Sequence, residues 1–300
     1  GPTAIGKTAL SLEMAERYGC EIISMDSMQV YRFMDIGTAK ASQEERARVR
    51  HHLIDIVNPD DQYDAARFVG DALAAVTEIT ERGRTPLVTG GTGLYLSALI
   101  NGLFEEIRVP EAIRDHFRGR LEREGRVVLH RELCEIDRES GNRIHVNDTQ
   151  RLLRGLEIFQ ATGIPWSEHI RRQAQNAPQV RFSRMFQIGL RCERSLLYDR
   201  IKSRTLKMMN DAFQQEVEQL LARGYGPELT SMQSIGYRHM AGCIAGTWDR
   251  PTATAALVQD TRRYAKRQFT WFGRSGDIHW YDVRQPATVL ADIETFLRQA

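Results

Sequence analysis

The chain contains no stretch of about 18 or more apolar residues, the length a helix needs to cross a bilayer, and that excludes a membrane-spanning helical protein. No signal peptide is visible. Its four cysteines, Cys20, Cys134, Cys192 and Cys243, are scattered and include no C-x-x-C pair. This argues against a zinc site or a disulfide framework and for a reducing compartment, so a cytoplasmic location is expected. Internal repeats and low-complexity linkers are absent. Neither sign of charge dominates: 41 Lys and Arg against 39 Asp and Glu leave a net charge of +2. With 300 residues, 42% hydrophobic and 27% charged, one large or two modest globular domains are expected.

What is present begins at the first residue. Gly1-Pro2-Thr3-Ala4-Ile5-Gly6-Lys7-Thr8 fits the phosphate-loop pattern G-x-x-x-x-G-K-[ST]. In such a loop backbone N–H groups wrap phosphate oxygens, the lysine neutralises them, and the terminal hydroxyl can ligate Mg²⁺. Residues 8–18 read as a helix whose N-terminus faces the same anion. The motif normally follows a hydrophobic strand and nothing precedes Gly1, so the chain is expected to lack its first strand.

Residues 21–25 read as a buried strand ending at Asp26-Ser27-Met28-Gln29-Val30-Tyr31. Strand C-termini line the ligand crevice of an open parallel α/β sheet. Asp26 is placed either to face the phosphate loop or to cap a turn. A helix is expected over 65–82, with Phe68, Ala72, Val76 and Ile79 on one stripe. The next strand, 86–89, runs into Gly90-Gly91-Thr92-Gly93-Leu94-Tyr95, where an ordinary phosphate-loop ATPase has a magnesium-binding aspartate. Glycines admit close backbone approach, and this loop reads as a second oxyanion cradle, with Thr92 as a hydroxyl donor.

From about residue 108 the pattern becomes helical and rich in arginine. Residues 108–207 carry 21 basic against 13 acidic side chains, whereas 1–107 carry 10 against 16. A basic middle in a neutral-to-acidic frame suggests an anionic partner, nucleic acid among the candidates, or a solvated helical face. Helices are expected over 111–124, 126–138 and 147–162, the third opening on Asn147-Asp148. His116, His130, His145 and His169 stand singly, without ligand spacing. A strand is expected over 185–190, then one long helix from Ser195 to about Arg223. On it Arg200 and Arg204, four apart, either grip one anion or lie solvated. A helix over 253–272 interleaves basic residues with aromatics, which suits phosphate neutralisation and base stacking but also an ordinary structural helix. A last strand (278–281) and a helix (287–298) complete an α/β fold: a P-loop NTPase-like parallel sheet core, 1–107 and 181–300, with a mostly helical insertion, 108–180.

Taken in order, the loop Gly1–Thr8, the Asp26–Tyr31 run, Asp35-Ile36-Gly37-Thr38-Ala39-Lys40, Gly90–Tyr95, Asn147-Asp148 with Gln150–Arg154, Ile235-Gly236-Tyr237-Arg238, and Arg262–Trp271 resemble the tRNA dimethylallyltransferases, also called tRNA isopentenyltransferases. The resemblance spans essentially the whole chain. It implies transfer of a dimethylallyl group from dimethylallyl diphosphate to N6 of the adenosine beside the anticodon of tRNA. The phosphate loop would then hold the donor's diphosphate, with Mg²⁺ on Thr8. Some relatives carry a C-terminal zinc finger; no cysteine follows Cys243 here, which fits the bacterial type.

The resemblance assigns roles. Asp26 would take the N6 proton, Thr92 would lie near the reacting groups, and Lys7 with Arg200 or Arg204 would stabilise the departing diphosphate. The adenine would be flipped out of its stack, with Gln29 reading its edge. Asp26, Ser27, Met28 and Gln29 are expected to face the tRNA. So are Arg114, Gln150, Arg151, Leu152, Leu153 and Arg154 in the insertion, where the anticodon stem-loop would be clasped. Gly236, Tyr237, Arg238, Lys266 and Arg267 complete the set. A monomer without membrane attachment is expected. The rival readings are an adenylate isopentenyltransferase acting on free nucleotide and, on the phosphate loop alone, a nucleotide-binding kinase.

Overall fold

The structure, a computed structural model, describes residues 1–102, 107–175 and 182–299. It divides into two compact units: Gly1–Leu99 with Phe182–Ala300, and Ile100–Arg181. The expected end of the insertion at residue 180 lies outside the described residues.

The first unit opens on a loop leading into α1 (Lys7–Tyr18), then β1 (Cys20–Met25), α2 (Gln43–Arg48), β2 (His51–His52), α3 (Ala65–Glu81), β3 (Thr85–Gly90) and α4 (Gly93–Asn101). The second unit is helical: α5 (Glu111–Ile136), α6 (Arg138–Arg143), α7 (Thr149–Thr162) and α8 (Trp166–Gln175). The chain then returns to the first unit with β4 (Gln187–Arg191), α9 (Arg194–Met208), α10 (Asp211–Ala222), α11 (Tyr237–Ile244), α12 (Arg250–Phe272), β5 (Ile278–Asp282) and α13 (Pro286–Arg298).

The strands are all parallel but form two sheets, β2-β1-β3 and β4-β5. The single sheet expected from sequence is therefore split. Gly1 lies where the two come near each other: its N donates to Gly90 O at 3.2 Å, and a Cβ on it would stand 3.5 Å from Leu190 N. Ile5, 0% exposed, anchors the loop in a core with Leu190, Leu197, Ile201 and Ala265.

Local sequence signals set most helix ends. Asp64 accepts the N–H groups of Ala66 and Arg67 to start α3, and Phe68, Ala72, Ala75 and Ile79 form its buried stripe. Asp148 caps α7 through Arg151 N, and Gly163 in the left-handed region ends it. The two helices expected over 111–124 and 126–138 are met as the two arms of α5, which breaks at Gly125, whose φ of 77° lies outside helical space, and ends at Ile136. The single helix expected over 195–223 is instead two. Asn210 is extended and its side chain accepts Phe213 N at 3.1 Å, capping α10 and closing off α9.

The second unit has its own core of Phe117, Leu129, Leu133, Ile144, Leu152 and Leu156. Among the described residues no helix is long and apolar enough to cross a membrane.

Candidate functional site

The loop reaches its shape through left-handed conformations at Ala4 (φ 60°) and Gly6 (φ 109°), the second at the N-terminus of α1. Lys7 Nζ donates to Pro2 O at 2.8 Å, closing the loop on itself. Helix α9 grips it from outside. Arg200 Nη1 donates to Ile5 O at 3.0 Å, and Arg204 Nη1 to Thr3 Oγ1 at 3.4 Å. The structure thus separates the two arginines that the sequence left equivalent. Arg204 lines the cavities beside the loop, and Arg200 is not among their lining residues.

Two cavities adjoin there, both walled by Thr3, Ala4, Asp26, Thr38 and Arg204. One, of about 400 Å³, runs along the loop past Gly6, Lys7 and Thr8. The other, of about 270 Å³, continues past Ser27 and Met28 to Ile201, Met208, Ile235 and Leu257, with Tyr264 on its wall. Basic and hydroxyl-bearing groups thus share the lining with apolar side chains, Thr205, Thr230, Ser234 and Thr261 adding further hydroxyls. Burial lowers the Lys7 ammonium to about 8, opposed by the charge of Asp26 and reinforced by Arg204. Burial likewise lowers Arg204, again opposed by Asp26. Two half-buried cations beside one half-buried carboxylate leave a positive excess that favours an anion among them.

Asp26 follows directly on β1. Its Oδ1 accepts Met28 N at 2.9 Å and Gln29 N at 3.3 Å, which fixes the carboxylate at the cavity edge. The capping and the site-facing readings of this residue are both met. Thr92 Oγ1 accepts Ser27 N at 3.2 Å, tying the end of β3 to the Asp26 turn. Gln29 lines the larger cavity, but its amide is engaged on both sides. Its Oε1 accepts from Ser24 Oγ at 3.0 Å, and its Nε2 donates to Thr38 O and Ala39 O at 3.4 and 3.3 Å. It holds the 38–39 segment rather than presenting a free edge to a base.

The glycines of the Gly90–Gly93 loop serve close packing, and this differs from the expected oxyanion cradle. A Cβ on Gly90 would stand 2.0 Å from Met25 O, one on Gly91 2.3 Å from Gln268 Nε2, and one on Gly93 2.4 Å from Trp271 Cδ2. Thr92 N points to Met25 O at 3.4 Å. Gln268, at 5% exposure, was hidden in the basic-aromatic motif; its contacts, Thr3 N and Gly91 O, lie 265 and 177 residues away along the chain.

Helix α12 separates its faces. Lys266 and Arg267 are exposed, as expected of nucleic-acid contacts, with Arg267 over the Tyr264 ring at 5.8 Å. Tyr237 is different. It is 0% exposed, packs edge-on against Phe213 and donates to Glu216 Oε1 at 2.5 Å. The same carboxylate accepts the N–H groups of Asp35, Ile36 and Gly37. The expected tRNA contact at Tyr237 is therefore a buried brace for the 35–37 segment. Gly236 starts α11 at φ 106°, buried beside it. Arg238 is exposed and pairs with Asp260.

In the second unit the expected tRNA-facing set also divides. Leu152 is 0% exposed in the core, and Leu153 packs partly buried against it. Arg114, Gln150 and Arg151 are exposed, with Arg114 bridging Glu111 and Arg151 bridging Asp148, both at 3.5 Å. Arg154 donates to Ile107 O at 3.1 Å, and burial, with Arg114 nearby, lowers it. The single histidines make local bonds, among them His130 Nε2 to Ile144 O at 2.8 Å.

Comparison with known proteins shows what kind of protein carries this site. The model of the IPP transferase family matches residues 29–275. A tRNA dimethylallyltransferase of Desulfotalea psychrophila is 50% identical over 297 residues, covering 99% of this chain and 94% of that one. That of Thermotoga maritima is 42% identical over 283 residues, covering 94% and 90%. Among solved structures, the full-length tRNA isopentenylpyrophosphate transferase of Bacillus halodurans superposes with a TM-score of 0.71 at 38% identity, covering 100% of this chain and 95% of that one. A eukaryotic dimethylallyltransferase acting on tRNA gives 0.74 at 28%, covering 94% and 72%. An α/β protein with an anion-ready loop beside a partly apolar cavity is thereby a group-transfer enzyme. The chain belongs to the IPP transferase family.

Proposed function

We propose that this protein transfers the dimethylallyl group of dimethylallyl diphosphate to N6 of the adenosine next to the anticodon in tRNA, releasing diphosphate. The observation that carries the reading is a cavity lined both by Asp26, Thr3 and Arg204 and by the apolar Ile201, Met208, Ile235 and Leu257. A branched five-carbon chain suits the apolar part, and its diphosphate suits the basic groups.

In this reading the first unit is a P-loop NTPase-like core. Backbone N–H groups of Ala4, Ile5 and Gly6, with Thr3, Lys7 and Arg204, hold the diphosphate, while Gly1 N holds Gly90 O and Pro2, which has no N–H, holds Lys7 through its carbonyl. The N6 lone pair attacks C1 of the allyl group, the C1–O bond breaks, and its electron pair leaves on the diphosphate oxygen. Asp26 accepts the N6 proton as the C–N bond forms. Arg204 and Lys7 meet the charge that develops on the leaving oxygen, while Arg200 keeps the loop in place through Ile5 O.

Thr8 lines the larger cavity, as does Asp26. No group of three His, Cys, Asp or Glu side chains suited to a metal occurs among the described residues. The Thr8 hydroxyl beside a phosphate site fits Mg²⁺, which takes its other ligands from phosphate and water and leaves Asp26 to accept the proton. Bound there, the ion would neutralise the diphosphate as it leaves.

The exposed Arg114, Gln150, Arg151, Arg238, Lys266 and Arg267 supply cationic and polar contacts for the anticodon stem-loop. The protein is taken to work as a monomer in the cytoplasm, where its tRNA substrate resides. Transfer of label from dimethylallyl diphosphate to tRNA and, separately, to AMP tests the reading. Label on tRNA adenosine supports it. Label on AMP alone moves the function to a free-nucleotide prenyltransferase, and ATP consumption without transfer would indicate a kinase.

A further inference from the structure

Gln268 sits near the C-terminal end of α12, buried and close to both halves of the site without lining either cavity. Its Oε1 accepts Thr3 N at 2.8 Å, and its Nε2 donates to Gly91 O at 2.8 Å. A primary amide offers an acceptor and a donor at one end, so a single side chain satisfies both loops. On the Thr3 side the bonds continue to Arg204, which donates to Thr3 Oγ1 at 3.4 Å. On the Gly91 side the next residue is Thr92, whose Oγ1 accepts Ser27 N beside Asp26. The absence of a Cβ at Gly91 is what admits the amide, because a Cβ there would stand 2.3 Å from Gln268 Nε2.

We propose that Gln268 is a positioning residue: it sets the separation between the loop that holds the diphosphate and the turn that carries the proton acceptor Asp26. This rests on the transfer reading above and goes beyond it. Displacement needs the attacking nitrogen within about 3–3.5 Å of C1, and a misplacement of about 1 Å costs on the order of 10²-fold in rate. Each substrate touches one side of the bridge, so the bridge matters for transfer more than for either binding step.

The test uses Gln268→Met, which keeps length and burial but neither bond, and Gln268→Glu, which keeps the acceptor for Thr3 N and sets an oxygen against Gly91 O. Single-turnover transfer is measured beside the dissociation constants of inorganic pyrophosphate and of tRNA, with thermal unfolding as a check that each variant is folded. The expected result is a transfer rate lower by about 10²-fold in both variants, with both dissociation constants within about threefold of wild type. A folded variant transferring at the wild-type rate would overturn the proposal. So would a pyrophosphate affinity that falls as far as the rate, since Gln268 would then only shape the phosphate loop. If Gln268→Met does not fold, Gln268→Glu decides between these outcomes. Failure of the wild-type protein to label tRNA would instead strike the transfer reading, and it shows before any variant is compared.

Discussion

Arg204 donates to the Thr3 hydroxyl at 3.4 Å, while Arg200, one turn earlier on the same helix, donates to the Ile5 carbonyl at 3.0 Å. The spacing of four puts both on one face, yet their partners differ in kind. A hydroxyl can be given up to a phosphate oxygen with Arg204 following it, whereas a backbone carbonyl cannot move without unfolding the loop.

The two arginines therefore fail differently when removed. Arg204→Ala is expected to lower kcat/KM for the prenyl diphosphate by about 10²–10³-fold, as for loss of a preorganised donor to developing charge. Arg204→Lys is not expected to restore it, because a point charge does not replace a planar fork. Arg200→Ala is expected to act chiefly on stability, by about 1–3 kcal/mol for an acceptor left without its charged partner. Steady-state kinetics and denaturant unfolding of the three variants check this.

Much of this arrangement was readable in the sequence, and its failures share a cause. The helix that follows Gly6, the Asp148 cap and the strand leading to Asp26 are local signals, and each appears where its residues indicate. Asn210 was also a local signal, a cap residue inside an otherwise helical stretch, but the apolar periodicity on either side hid it. Tyr237 and Leu152 each stand beside an exposed arginine, Arg238 and Arg151. Their burial comes from Phe213 and Glu216 in one case and from the α5–α7 core in the other, and no spacing encodes that. The Gly90–Gly93 loop shows the same limit. Its glycines marked a close approach, but what approaches is Gln268 and Trp271 rather than an anion.

Leu152 and Arg151 are adjacent and are expected to separate folding from binding. Arg151→Ala should weaken tRNA binding and reduce the salt dependence of log K by about one unit per lost phosphate contact, with the melting temperature unchanged. Leu152→Ala should lower stability by about 2–5 kcal/mol through the cavity it leaves. Salt-titrated tRNA binding and thermal melts of the pair distinguish the two.

Lys7 links the site to pH. Burial holds it at about 8 in the folded protein, against an ordinary value of 10.5 when unfolded. The unfolded chain then binds more protons between those values, so the Lys7 contribution to stability rises with pH across that window and is lost as pH falls through about 8. A bound diphosphate favours the charged amine, so binding near pH 9 should take up close to one proton and weaken as pH rises. Calorimetry in two buffers of different ionisation heat measures the uptake. The uptake should be absent in Lys7→Ala.

Asp26 carries the central claim. Its Oδ1 is fixed by Met28 N and Gln29 N at the cavity edge, so Asp26→Asn preserves shape while removing the carboxylate proposed to accept the proton. The most direct measurement is single-turnover transfer of label from dimethylallyl diphosphate to tRNA by wild type and Asp26→Asn, with tRNA binding measured in parallel. The account predicts labelled adenosine beside the anticodon, a rate at least about 10²-fold lower in the variant, and tRNA affinity nearly unchanged. Transfer by Asp26→Asn at the wild-type rate would contradict it.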